Sequence, residues 1–535
     1  MKIEMSTAFE VERSRQRMSA RVRRSQPALP SVEQLLVEGG DGRIALDAEG
    51  MVNKYGCPPH PDPDLIALGS STASVISGPA YVAAQHMRQK LMQFAAIEPQ
   101  AITYARELRR IRSELLGLCG VSDLVGLEVV FGTSGTDLHL IAGRLMAGTK
   151  FLPGLAVMAA AEETGSCVPA ALAGRHFSYR ATLGDEVMEG AAVAGGTAME
   201  VVSVTLRYDD GTPRTMDSID AEVISLVDAA AAQGRRVLLS LVDVSKTGMI
   251  APSATCAMEL RRRWPESVEV LVDACQFRIA PSTLRAYLQQ DFMVALTGSK
   301  FVGGPTFSGV LLFPASLVRR FRGRLLPRTL GNYSLRADWP QHWAAAGSLS
   351  NVANFGLLLR WEAALEELRA FRAVTETEVS GFLRSFARFI QQRLLRDPAF
   401  EPLTVPLLER QSLSNVDTWD QLQTIFPFVL YHPAGREGMR PLSRDETQRV
   451  YRLMQRDLSA YPGVITGPVG GDEAVVRYQF GQPVACGHRA GIPVSALRIC
   501  ASARLIVEAT ANGGLKTARV FNKAMAALDK AVRFV

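Results

Sequence analysis

Short, continuously apolar runs alternate with helix-spaced stretches through the middle of the chain. The runs fall at 127–131, 155–159, 199–204, 237–242, 268–272, 292–296 and 310–313. They are too short for helices and rich in β-branched residues, so they read as buried strands. Stretches at 138–146 and 221–233 carry helical spacing between them, and 79–118 is helical before them. This alternation predicts an open α/β sheet with helices on both faces. A long helical pattern over 351–371 follows, and then a mixture with strand-like runs at 426–431 and 474–480. The pattern divides the chain into an N-terminal arm (1–64, partly irregular), a large α/β domain (65–350), a linking helix (351–375) and a smaller α+β domain (376–535). No internal repeat is present.

Composition narrows the class. A chain of 535 residues, 47% hydrophobic and 21% charged, buries a large core and splits into lobes. No apolar run reaches the ~18 residues of a membrane span. The formal charge of +6 is modest, and much of the excess sits in Lys2, Arg13, Arg15, Arg17, Arg21, Arg23 and Arg24. Glu4, Glu10 and Glu12 interrupt that arm and no apolar segment follows it, so a solvated arm is expected rather than a transit peptide. The seven cysteines and seven histidines are scattered, without a CxxC pair or an HExxH motif. No disulfide framework and no metal site is expected, and a reducing, cytoplasmic compartment follows.

Chemistry concentrates at strand ends. Lys300 stands in Thr-Gly-Ser-Lys-Phe-Val-Gly-Gly at 297–304, between two apolar runs. Alone it reads as a surface lysine in a glycine turn. Held between strands it is poorly solvated, which favours the neutral amine that attacks a carbonyl. Upstream, a strand enters Gly132-Thr133-Ser134-Gly135-Thr136-Asp137 and opens a helix. Free backbone N–H groups and the hydroxyls of Ser134 and Thr136 make an anion cradle there, although such residues also simply cap helices. Asp273 directly follows the buried run at 268–272, and a buried acid calls for a cationic partner. A third strand ends in Asp243-Val244-Ser245-Lys246-Thr247-Gly248. Ligands of open α/β sheets bind beyond the carboxyl ends of strands. A phosphate cradle, an acid and a lysine together suit pyridoxal phosphate, with its phosphate, ring nitrogen and aldehyde.

In this order the three segments resemble fold-type-I pyridoxal-phosphate enzymes of the class V aminotransferase superfamily, which includes cysteine desulfurases and kynureninase-like enzymes. The resemblance implies a mostly parallel seven-stranded sheet in the large domain. It makes Lys300 the Schiff-base lysine, Asp273 the partner of the ring nitrogen and Gln276 a donor to the ring hydroxyl. Ser134, Gly135 and Thr136 match the phosphate turn, and Thr297 and Ser299 match the polar positions before the lysine. Ser245 falls where the family often has asparagine near the ring. Gly347-Ser348, followed by Asn351, resembles a pair that reaches the neighbouring subunit's phosphate, which implies a homodimer. Arg498, in Leu497-Arg498-Ile499-Cys500-Ala501-Ser502, resembles the arginine that clamps a substrate carboxylate, with Arg504 a competitor and a plain surface arginine the alternative.

The pattern also departs from the family. Glu163 and Thr164 stand where a histidine normally stacks on the ring, and His139 and His176 are the nearest replacements in sequence. Cys486 lies near where a desulfurase keeps its nucleophile, beside His488, and an inert thiol is the competing reading. The resemblance implies catalysis on an amino acid through an external aldimine and an α-carbanion, with Lys300 as the base at the α-carbon. An aminotransferase is the first expectation. A lyase or a β/γ-elimination or replacement enzyme of secondary metabolism, including a C–S lyase, is the alternative. A non-catalytic, pyridoxal-phosphate-binding regulator is a third reading, since the basic arm would attract nucleic acid; the enzyme readings expect neither nucleic acid nor membrane as partner.

Overall fold

The computed structural model describes residues 29–535 apart from 72, 150, 194–198, 325, 327, 433–437 and 458–474. The basic residues of the first 24 positions and the start of the run at 474–480 lie outside the described residues.

All seven central runs are strands of one sheet: β1 (Glu128–Gly132), β2 (Gly154–Ala159), β3 (Met199–Val204), β4 (Val237–Asp243), β5 (Val268–Ala274), β6 (Met293–Thr297) and β7 (Gly309–Phe313). Their order is β1-β7-β6-β5-β4-β2-β3. The pairs β3/β2, β2/β4, β4/β5 and β5/β6 are parallel, whereas β7 runs antiparallel to both β6 and β1. A two-residue strand, Ile250–Ala251, folds back on the end of β4 as an antiparallel eighth member, too short to register as an apolar run. Every residue of β2, β4, β5, β6 and β7 is buried, as strands covered by helices on both faces of the sheet must be. Edge strand β3 is partly exposed instead.

The helical stretch at 79–118 is two helices, α2 (Gly78–Ala95) and α3 (Gln100–Leu118). Pro99 sits at the start of α3; proline lacks the N–H and the backbone freedom to continue a helix from before it. Next along the chain, α4 (Gly135–Met146) leaves the end of β1. The long pattern after 350 becomes α5 (Phe355–Arg372), capped by the Asn354 side chain accepting from Leu357 N at 3.1 Å. Its face is almost continuously apolar and packs against α2 and α3. Thr375 then caps α6 (Glu376–Arg396) with a reciprocal Thr–Glu378 box. A four-stranded antiparallel sheet follows, made of β8 (Phe400–Pro402), β9 (Ile425–Leu430), β10 (Gly481–Arg489) and β11 (Ile492–Cys500), in the order β8-β9-β11-β10.

The segment expected as a partly irregular arm contains a short helix, α1 (Val32–Leu36). Leu29, Val32, Leu35 and Leu36 enter the same core cluster as α2, α3 and α5. Arg360 of α5 fastens the chain that follows. Its guanidinium donates to Leu36 O (3.2 Å) and Gly39 O (2.7 Å), and its Nε donates to Phe307 O (2.7 Å). From about residue 29 onward this is structural polypeptide, held by burial and by a buried arginine.

Candidate active site

Beyond the carboxyl ends of β1, β4, β5 and β6 lies a cleft. Lys300 and Asp273 both line it, together with Ser134, Gly135, Thr136, Gln276, Thr297 and Ser299. The sequence places these groups in three loops; the parallel sheet makes the loops neighbours.

The floor is the turn from β1 into α4. Ser134 takes an extended backbone and caps the helix, accepting from Asp137 N at 3.2 Å, while the Asp137 carboxylate accepts from Ser134 N at 2.9 Å. Gly135 is required by a close approach: a β-carbon there would meet Cys275 Sγ at 2.8 Å. The turn therefore lies tight against the end of β5, with the positive end of α4 facing the cleft.

Asp273 is buried. Its carboxylate accepts from Cys275 N at 3.2 Å and lies 3.4 Å from His139 Nε2. His139 stands one turn into α4, and its Nδ1 contacts Gly135 O at 2.7 Å, so Nδ1 carries the hydrogen and Nε2 faces the acid. Burial works against ionisation of Asp273, but the charge and hydrogen bonding of His139, with the charge of Lys300, outweigh it and hold the carboxyl well below the usual range. Burial likewise disfavours the imidazolium, and Asp273 more than offsets this, raising His139. The acid at 273 is thus held as a carboxylate facing the cleft.

Lys300 is partly exposed to the cleft, and its carbonyl accepts from Ser74 Oγ at 3.0 Å. Gln276 donates through Nε2 to Ser71 O at 2.8 Å, and Thr297 Oγ1 donates to Cys275 O at 2.6 Å. The first bond ties the loop after β5 to the segment at Ser71, and the second ties the end of β6 to that same loop. Ser71 Oγ also lines the cleft and is buried without a hydrogen-bond partner among the described residues.

Other expected residues have different placements. Glu163 and Thr164 line the cleft, but the Glu163 carboxylate is committed to scaffolding. It accepts from Ser245 Oγ (2.7 Å), Thr247 Oγ1 (2.7 Å), Thr247 N (3.2 Å) and Arg207 Nε (3.1 Å). An acid that satisfies four donors organises the loop after β4 and has no edge left for a ring. Ser245 is spent in the same network and is not among the cleft-lining residues, unlike its neighbours Val244 and Lys246. His176 contacts Tyr333 Oη at 2.6 Å, away from the cleft.

Arg498 is fully buried but does not line the cleft. Its guanidinium donates to Lys246 O at 3.1 Å and to Gln482 O, and both of those residues do line the cleft. Arg504 pairs with Glu367 at 2.8 Å beside a separate hollow. Ser348 closes a short 3₁₀ turn, with Oγ 3.5 Å from Leu326 O, outside its own chain's cleft. Cys486 packs with Leu403, Val429, Val494 and Ala496. Burial pushes its thiol up to about 11, the behaviour of an inert cysteine.

Some cleft residues carry no local sequence signal: Arg43 and Tyr55 arrive from the N-terminal segment. Lys246, in the strand end at 243–248, also lines the cleft, and burial followed by the charges of Arg498 and Lys300 lowers it to about 8. Among the described residues no helix is long and apolar enough to cross a membrane, and no cluster of candidate metal ligands occurs.

Fold and site together define an open α/β protein with a ligand cleft at the carboxyl edge of its sheet. No family model and no curated protein matches the sequence. Solved structures similar to the chain include a cysteine desulfurase from Thermococcus onnurineus, 12% identical over 87% of this chain and 94% of that one, with a TM-score of 0.49. The cysteine desulfurase CsdA from Escherichia coli is 15% identical over 87% and 95%, with a TM-score of 0.48. Serine palmitoyltransferase from S. paucimobilis is 15% identical over 87% and 88%, with a TM-score of 0.46.

Proposed function

We propose that the cleft binds pyridoxal phosphate and that the protein is an enzyme acting on an amino-acid substrate. The observation that carries this reading is the convergence of Lys300 and an ionised Asp273 on one cleft floored by a helix N-terminus. The residues present suit the group. The N-terminal turn of α4, with Ser134, Gly135 and Thr136, would hold the phosphate; Asp273 would hold a proton on the ring nitrogen; Lys300 would bond the aldehyde carbon. Ser71 Oγ, buried at the wall and without a hydrogen-bond partner among the described residues, offers a further polar contact to a ligand. The unsubstituted Gly135 lets the turn sit close enough to Cys275 for these groups to share one small molecule.

When bound, the cofactor supplies an electron sink for carbanion chemistry at the substrate α-carbon. The chain's own groups do the rest. Asp273, kept ionised by His139, would stabilise a proton on the ring nitrogen. The Lys300 amine, facing the cleft, would serve as the base that takes a proton from the substrate α-carbon. The Glu163 network ties down the loop that carries Val244 and Lys246 at the cleft wall. The observations speak to cofactor and proton handling. Transamination leads on the family resemblance, and elimination or replacement at the β- or γ-carbon is the alternative. We further propose a homodimer in which Ser348 reaches the partner's cleft, a reading that agrees with its position outside its own.

Borohydride treatment of the purified yellow protein tests the core reading. It should bleach the visible band and leave a mass adduct on the peptide containing Lys300. A Lys300→Ala variant should fold, bind cofactor loosely and trap nothing. An adduct persisting in that variant would move the role to another amine. Incubation with an amino-acid pool and mass spectrometry of products then separates transamination from elimination.

A further inference from the structure

Arg43 reaches the cleft from a part of the chain that neither the sheet nor the family resemblance assigns to it. Its guanidinium forks onto Asp41, with Nε to Oδ1 at 2.9 Å and Nη2 to Oδ2 at 2.7 Å. The remaining edge turns to the floor of the cleft: Nη1 donates to Thr136 Oγ1 at 3.0 Å and Nη2 to Ser134 Oγ at 3.1 Å. The rings of Phe307 and Phe177 lie 4.9 and 5.3 Å from its central carbon. The loop that carries it is fastened by Arg360 and by Asn354, whose Nδ2 donates to Gly39 O at 3.0 Å. An arginine held by a carboxylate fork, two rings and a pinned backbone has little rotamer freedom left to lose on binding.

The charges around it explain why a cation is needed. Asp41 and Asp137 are both fully buried beside the turn, and a phosphate brought there would meet two acids. Arg43 touches both hydroxyls of that turn, Ser134 and Thr136, and its pairing with Asp41 offsets one of the two acids, while burial and the charge of Asp41 raise Asp137 towards its neutral form. Resting on the cofactor reading above, we propose that Arg43 is a phosphate-binding residue of the cleft, which makes the N-terminal segment part of the cofactor site.

The test compares two ligands on the full-length protein stripped of bound cofactor: pyridoxal phosphate and pyridoxal, which lacks the phosphate. Affinities are read from the visible band and from protein fluorescence for the wild type, Arg43→Gln and Arg43→Lys. Arg43→Gln should weaken pyridoxal phosphate roughly ten- to hundredfold, the range for losing a hydrogen bond to a charged group, and leave pyridoxal within about twofold. Arg43→Lys should recover part of the difference, because it keeps the charge but not the fork. Equal weakening of both ligands makes Arg43 a structural residue and overturns the proposal. Unchanged or tighter binding of pyridoxal phosphate makes it a plug over the turn and overturns it as well. If Arg43→Gln does not fold, the ratio of the two affinities in Arg43→Lys decides: a ratio equal to the wild type's overturns it. A wild type that binds neither ligand defeats the cofactor reading itself, a result distinct from the others.

Discussion

Lys246→Met isolates the cost of a buried cation. Lys246 follows β4; its N donates to Glu163 O at 2.8 Å and its Nζ to Ala161 O at 3.0 Å. Burial is the main cause that lowers it from 10.5 to about 8, and the charges of Arg498 and Lys300 act in the same direction, against Glu163 and Glu162. At about 1.4 kcal/mol per tenfold change in acidity, keeping this ammonium charged inside the fold costs about 3 kcal/mol. The folded chain gives up the proton at lower pH than the unfolded chain. Between about pH 8 and 10.5 the unfolded state therefore binds more protons, and stability rises with pH across that window. Below pH 8 the whole penalty is present. Methionine removes it at similar length but also loses the bond to Ala161 O, worth about 1 kcal/mol. The variant should be about 2 kcal/mol more stable than the wild type at pH 7. With an unfolding entropy of about 2.1 cal/mol/K per residue, that is roughly 2 °C in Tm for a 535-residue chain melting as one unit. Scanning calorimetry of cofactor-free protein from pH 7 to 10.5 measures it. A variant less stable at pH 7, or a gap that does not close as the pH rises, refutes the argument.

Two further outcomes bear on the site. Asp273→Asn should retain bound cofactor yet slow exchange of the substrate α-proton in deuterated water by at least about a hundredfold, because a neutral amide no longer holds charge on the ring nitrogen; NMR of the substrate reads it, and unchanged exchange counts against Asp273. Cys486, with its thiol raised to about 11, should resist alkylation at pH 7.5 in the folded protein, and Cys486→Ser should leave the product profile intact; rapid labelling followed by loss of turnover would restore the nucleophile reading.

The central sheet was legible because its strands, edge strand β3 apart, are buried on both faces, so β-branched residues accumulate in runs that need no partner to be recognised. The same local character exposed the glycine/hydroxyl turn at 132–137, Asp273 and Lys300, each sitting where a buried run meets polar residues. Helix ends were less legible. The split of 79–118 at Pro99 and the start of α5 at Phe355 depend on capping and on what the following turn packs against.

What the sequence determined by itself is the set of groups that a strand end must carry: an acid, an amine and an anion cradle, each written within a few consecutive residues. What only the tertiary structure decided is which distant side chains meet them. Arg43 bonds Ser134 and Thr136 across some ninety positions, Glu163 holds Ser245 and Thr247 across some eighty, and Arg498 donates to Lys246 O and Gln482 O. The physical reason is that a buried charge must be satisfied by whatever donor or acceptor the packing brings within about 3 Å. That choice belongs to the assembled sheet and its covering segments, and no local pattern records it.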